Sequence, residues 1–204
     1  MAMADGGDRD MMTEAVEEYR ERIFRAVGYP SGDRLRILNL GCGEGYDNVV
    51  FGGEGNVVVG VDITFFSERW GGLRSRRSHF VNADGRWLPF VNEVFDYVFL
   101  KDVLHHVENH GDLLREVSRV AKGDATVCIL EANRYNPVGY LHMTLLGGHD
   151  HFSQSYFRSV VGRHFTRCSV QYESFNAHVV PVKSRRVIEC RISNATVRTK
   201  KEAT

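Results

Sequence analysis

The sequence predicts an α/β fold: a doubly wound, mainly parallel seven-stranded sheet with helices on both faces. Short apolar, β-branched runs alternate with helix-length amphipathic stretches from residue 35 to residue 131. The first run, Arg36 to Leu40, enters a turn with glycine at alternate positions, Gly41, Gly43 and Gly45, and the second run ends on Asp62. Such alternation implies right-handed crossovers, which bring the carboxyl ends of parallel strands to one edge, where ligands bind.

In chain order, residues 1–12 mix Met, Asp and Gly without periodicity and read as a flexible tail. Val16, Tyr19, Ile23, Phe24 and Val27 recur at helical spacing, and Gly28 to Pro30 ends that helix. Strands are expected at 35–40, 57–61, 79–82, 95–100 and 125–131, with helices at 46–52, 66–74 and 110–121. Ser153 to Phe165 reads as a capped helix, and 167–175 with 184–192 as a closing hairpin. One domain therefore covers 13–195, followed by a second flexible tail at 196–204.

The composition narrows the function classes. A chain of 204 residues suits one α/β domain, and 26 Lys+Arg against 26 Asp+Glu create no global field for nucleic acid or an anionic membrane. Arg74, Arg76 and Arg77 cluster, but so short a run reads as solvated surface. Cys42, Cys128, Cys168 and Cys190 match neither a zinc spacing nor a disulfide-rich pattern. No apolar run is long enough to span a bilayer, and the expected location is cytoplasmic. Nine histidines raise the question of a metal, but His105, His106 and His110, or His149 and His151, lack a convincing ligand geometry, so none is expected.

The glycine turn is the strongest pointer to a ligand. A dinucleotide would want a third glycine at position 46, which is Tyr46, and Glu44 would oppose a pyrophosphate. Asp62 still meets the requirement for a ribose-binding acid about 20 residues on. A nucleoside with a cationic tail fits these residues better than NAD.

G-C-G-E-G after the first strand, V-G-V-D-I at the end of the second and N-A-D-G-R-W-L-P-F after the third resemble the class I S-adenosylmethionine-dependent methyltransferases, in particular the methyltransferase type 11 group. F-D-Y-V-F-L-K-D-V-L-H-H-V, D-L-L-R-E-V-S-R-V-A-K and A-T-V-C-I-L-E-A-N follow in the group's order, so the resemblance spans roughly residues 15 to 135. It implies a Rossmann-like methyltransferase fold, S-adenosylmethionine as donor and S-adenosylhomocysteine as product.

The resemblance also implies roles. Asn39, Gly41, Cys42, Gly43 and Gly45 would form the turn that holds the amino-acid end of the donor, largely through backbone groups. Asn39 stands where the group commonly has an acid. Asp62 would grip the ribose, Asp84 the adenine amino group with the backbone of Gly85 or Arg86 near the ring edge, and Ile63 and Trp87 would flank the ring. Lys101 would complete the cofactor site. His105 and His106 leave the fourth strand beside the reacting centre and are the candidate general bases, although methyl transfer requires one only if the acceptor must lose a proton. Residues 134–165, with the apolar Pro137 to Leu146 stretch and His149, Asp150 and His151, would form a substrate cap.

The function expected is methyl transfer to oxygen or nitrogen of a small-molecule or lipid-linked (or glycan-linked) acceptor, by a monomer or homodimer. A protein or RNA methyltransferase would need a basic face that the composition does not show. A non-catalytic S-adenosylmethionine-binding regulatory domain is the alternative outside enzymes.

Overall fold

The computed structural model describes residue 21 and residues 34–52, 55–132, 153–165, 167–179 and 188–200. The helix expected near 13–27 and the apolar and histidine-bearing part of the expected cap, up to residue 152, lie outside the described residues.

The strands are β1 (Arg36–Leu40), β2 (Val57–Asp62), β3 (Ser78–Asn82), β4 (Phe95–Lys101), β5 (Ala121–Ala132), β6 (Arg167–Val179) and β7 (Ile188–Lys200). The helices are α1 (Tyr46–Phe51), α2 (Ser67–Leu73), α3 (His110–Val120) and α4 (Gln154–Gly162), with a short 3-10 turn at Leu104–His106. They form one seven-stranded sheet in the order β3-β2-β1-β4-β5-β7-β6. The first five pair in parallel, and β7 runs antiparallel to both β5 and β6. The order reverses between β1 and β4, which opens a crevice at their carboxyl ends.

Strand alternation supplies both sheet faces. In β4, Val98 and Leu100 join a core with Leu38, Leu40, Val127 and Ile129 that α3 covers through Leu113, Leu114 and Val117. Tyr97 and Phe99 point the other way, to Ile37, Val58, Cys128, Leu130 and Phe51 of α1. Two of the helices are capped by side chains: Asn109 accepts from the Asp112 N–H at 3.2 Å, and Ser153 from the Tyr156 N–H at 3.2 Å.

Several boundaries differ from expectation: β5 begins at Ala121 rather than at 125, β6 runs on to Val179, and β7 is Ile188–Lys200 where 184–192 was expected. Residues 196–200 are strand rather than tail: β7 pairs with β5 from Ala132↔Asn194 to Thr126↔Lys200. Short polar and basic residues there read as an end, yet backbone pairing on both sides holds them between β5 and β6.

Candidate functional site

The glycine turn is held mostly by its own backbone. The N–H groups of Gly41 and Cys42 donate to the Val61 carbonyl at 2.8 and 3.1 Å, and that of Gly45 to the Cys42 carbonyl at 2.9 Å. The Gly43 N–H donates to Asp62 Oδ2 at 2.8 Å, while Trp70 Nε1 donates to the Gly43 carbonyl at 2.9 Å. These amide donors are thus engaged within the protein. What the turn offers the crevice is the bare α-carbon of Gly41, where φ is 73° and a Cβ would collide with Val103 Cγ2. Glu44 pairs with Arg69 at 3.3 Å on the surface.

The crevice at the β1/β4 switch is a cleft of about 690 Å³, within the usual range for small-molecule sites. The ends of β1, β2 and β3 contribute Gly41, Asp62, Ile63, Thr64, Asp84 and Gly85; the chain after β4 contributes Asp102, Val103, His106, Val107 and Glu108. Asp62 Oδ1 also accepts the Thr64 N–H at 2.9 Å, so each carboxylate oxygen is oriented by one backbone donor and keeps a second acceptor site. Asp84 is bound by Arg86 through Nε at 3.0 and 3.1 Å and Nη2 at 2.6 Å. That hydrogen-bonded guanidinium holds the Asp84 carboxyl below the usual carboxylate range. The Asp84 loop is laced to α3 by Arg119, which donates to the carbonyls of Phe90 at 2.7 Å and Leu88 at 2.9 Å.

Of the expected cofactor residues, Gly41, Asp62, Ile63, Asp84 and Gly85 line the cleft. Gly45, with φ 93°, serves packing instead, since a Cβ there would meet Phe80 Cε1 at 2.6 Å. Gly43 anchors Asp62 and Trp70, as above. Cys42 is buried, and burial pushes its thiol up to about 12, leaving it inert. Asn39 is 1% exposed and its amide donates to Asn48 Oδ1 at 2.8 Å, tying β1 to α1 rather than facing the cleft. Lys101 is turned to Asp47 at 3.7 Å. Ile63 is 70% exposed, as an open ligand-facing position would be, whereas Trp87, 75% exposed, is not among the residues lining the cleft.

The two histidines part company. His106 lines the cleft, but His105 is buried with its Nδ1 2.7 Å from Glu131 Oε2. Burial lowers the His105 pKa, but the Glu131 hydrogen bond and charge, with Asp102 nearby, outweigh it and raise the pKa overall. His105 is thus turned to Glu131 and is not among the residues lining the cleft, so of the pair only His106 faces it. Glu131 Oε1 accepts the N–H groups of Val103 and Leu104 at 2.9 and 2.6 Å, which pins the chain after β4. Asp102, His105 and Glu131 bring their polar atoms within 4.8 Å of one another. They are residue types that also bind metals, yet here Glu131 has both oxygens hydrogen-bonded to its neighbours.

Arg86 was expected beside the adenine, and Asp102 and Val103 lie in the segment after the fourth strand expected beside the reacting centre, whereas Glu108 and Glu131 were given no role from the sequence. Glu131 carried a usable signal, a lone carboxylate in the apolar run T-V-C-I-L-E-A, because an acid at such a position needs specific partners. The place of Glu108 depends on which strand ends meet.

The Methyltransferase domain family model matches residues 38–129. A malonyl-[acyl-carrier protein] O-methyltransferase of Legionella pneumophila is 30% identical over 55% of this chain and 42% of its own length. A demethylmenaquinone methyltransferase of a Roseiflexus species is 32% identical over 65% of this chain and 54% of its own. The chain thus spans about half the length of these curated relatives. An S-adenosylmethionine-dependent methyltransferase structure from Archaeoglobus fulgidus aligns with a TM-score of 0.69 at 17% identity, over 91% of this chain and 94% of that one, which shows the shared fold. Strand order, cleft position and a family model that spans just under half of the chain together support a class I S-adenosylmethionine-dependent methyltransferase.

Proposed function

We propose that this chain transfers the methyl group of S-adenosylmethionine to an oxygen or nitrogen of a small-molecule acceptor, lipid-linked acceptors included. The observation that carries the proposal is the cleft itself: a ribose-competent carboxylate, Asp62, stands over the end of β2, and the post-β4 chain faces it across the bare Gly41 turn. The residues fit the donor, with Asp62 for the ribose, Ile63 and Gly85 beside the base, and Gly41 admitting the arm that carries the sulfur. The engaged turn amides argue against a pyrophosphate ligand, which would need them free. The names of the relatives, a malonyl-[acyl-carrier protein] O-methyltransferase and a demethylmenaquinone methyltransferase, support a small or carrier-linked acceptor.

When bound, the donor supplies a methyl group already activated on a sulfonium. The chain's task is then alignment and exclusion of water. Val103 and Val107 give the acceptor half of the cleft an apolar wall, and His106 is the imidazole placed there to accept a proton if the acceptor has one to lose. Asp84 reaches an adenine amino group only by exchanging part of its Arg86 contact, so Arg86 belongs to the adenine end of the site.

Methyl-labelled S-adenosylmethionine incubated with panels of phenols and hydroquinones, carboxylates and amines tests this proposal. Label is expected in one small-molecule class. Tight donor binding with no transfer to any class would replace the enzyme reading with that of a regulatory binding domain.

A further inference from the structure

Asp102 stands out among the cleft residues because its backbone is unusual for a residue with a side chain. Its φ is 54°, in the left-handed region, and its N–H donates to the Leu130 carbonyl at 2.9 Å. Such a conformation persists only where the surroundings determine it, and clusters at functional positions. Here the neighbouring Val103 and Leu104 amides are clamped by Glu131, so a rigid turn fixes Asp102 in the cleft wall, with a carboxylate oxygen within 4.8 Å of the polar atoms of His105 and Glu131.

Its place follows from strand order. Asp84 follows β3 and Asp62 ends β2, whereas Asp102 follows β4, on the far side of β1. A nucleoside held by Asp62 and Asp84 must send the arm beyond its ribose across β1, over Gly41, towards β4. The first charged atom on that arm is the sulfonium. Donor and product share every other group, so they differ at this point by one unit of charge.

We infer that Asp102 is a donor-selecting residue: its carboxylate favours the cationic donor over the neutral product, so that methyl transfer itself loosens the ligand left behind. The inference rests on the reading of the cleft as an S-adenosylmethionine site. The charged groups around Asp102 come from each packed element. Lys101 of β4 faces Asp47 of α1 at 3.7 Å, His105 of the 3-10 turn faces Glu131 of β5 at 2.7 Å, and His106 and Glu108 share the cleft wall. The first is an opposite-charge pair and the second becomes one when His105 is protonated, and within each pair the two charges blunt each other's field. Burial, then the negative charge of Glu131, push the Asp102 carboxyl above the usual carboxylate range against the pull of Lys101 and His105. Selection therefore strengthens as pH rises and Asp102 ionises.

Calorimetric titration with S-adenosylmethionine and S-adenosylhomocysteine, from the lowest pH at which the protein stays folded up to about pH 8, tests the inference without an acceptor. The ratio of product to donor dissociation constants should rise roughly tenfold with pH in the wild type, as expected for one charge a few ångströms from another in a partly wet site. Asp102→Asn, which tolerates the same backbone conformation, should flatten that rise. His106→Gln should retain it. A flat wild-type ratio, an unchanged profile in Asp102→Asn, or loss of the profile in His106→Gln would overturn the inference, and the wild-type measurement decides even if the Asn variant does not fold. Failure of both ligands to bind at any pH would instead overturn the reading of the cleft, and the inference with it.

Discussion

The pair of His105 and Glu131 shows how one residue's environment reassigns its role. In sequence the two histidines are equivalent neighbours, and nothing in L-H-H-V says which one turns inward. The structure buries His105 on Glu131, whose other oxygen holds two backbone amides, so the pair is a clamp on the chain after β4. Breaking a buried ion pair from one side is costly, and Glu131→Gln is expected to lower stability by ~3 kcal/mol. The pH dependence has a definite sign. The folded pKa of His105 is raised above its ordinary 6.5, so its contribution is fully present below that value and is lost as pH rises through the folded pKa. Urea unfolding should therefore show wild-type stability declining above about pH 6.5, with that component absent in Glu131→Gln; equal slopes in the two proteins would refute the clamp.

At the scale of elements, the strand-turn-helix unit from Arg36 to Phe51 was legible because glycine at 41, 43 and 45 leaves few conformations open. Its job within the turn was not. Spacing shows that side chains are unwelcome but not whether the cause is a ligand or a neighbouring side chain. Gly45 answers to Phe80 and Gly41 to Val103, which arrive from β3 and from the chain after β4. Gly41→Ala is accordingly expected to weaken S-adenosylhomocysteine binding by roughly tenfold or more, since Val103 must shift and the positive φ disfavours a Cβ. Adding Val103→Ala should recover part of that loss. A calorimetric double-mutant cycle checks the coupling, and strictly additive effects would show that the two residues do not share the site.

For the whole molecule, binary patterning foretold the five parallel strands and the helices between them, since β-branched runs and 3.6-residue periodicity are local properties. Long-range pairing is not local. Nothing in R-I-S-N-A-T-V-R-T-K states that the segment enters between β5 and β6, and its polar residues masked the strand that continues to Lys200. The same limit applies to Glu131, which meets His105 and the chain after β4 only through the pairing of β4 with β5. The core under α3 is continuous across β1, β4 and β5, with Leu114 fully buried in it. Leu114→Ala should destabilise the fold by about 2–5 kcal/mol, read by urea unfolding, with little change in ligand affinity for the fraction that remains folded. A cost under about 1 kcal/mol would mean that α3 is not packed as described.

The central claim is that this cleft holds S-adenosylmethionine through Asp62 at the end of β2. It is tested most directly by titrating wild-type protein and Asp62→Ala with S-adenosylhomocysteine in a calorimeter, with NAD as the competing nucleotide. Stoichiometric binding of the sulfur nucleoside is expected, weakened by roughly 1.5–3 kcal/mol in Asp62→Ala, because the substitution removes a charged acceptor from a partly enclosed site and frees the Gly43 amide that it holds. Wild-type affinity in Asp62→Ala, or binding of NAD in place of the sulfur nucleoside, would contradict it.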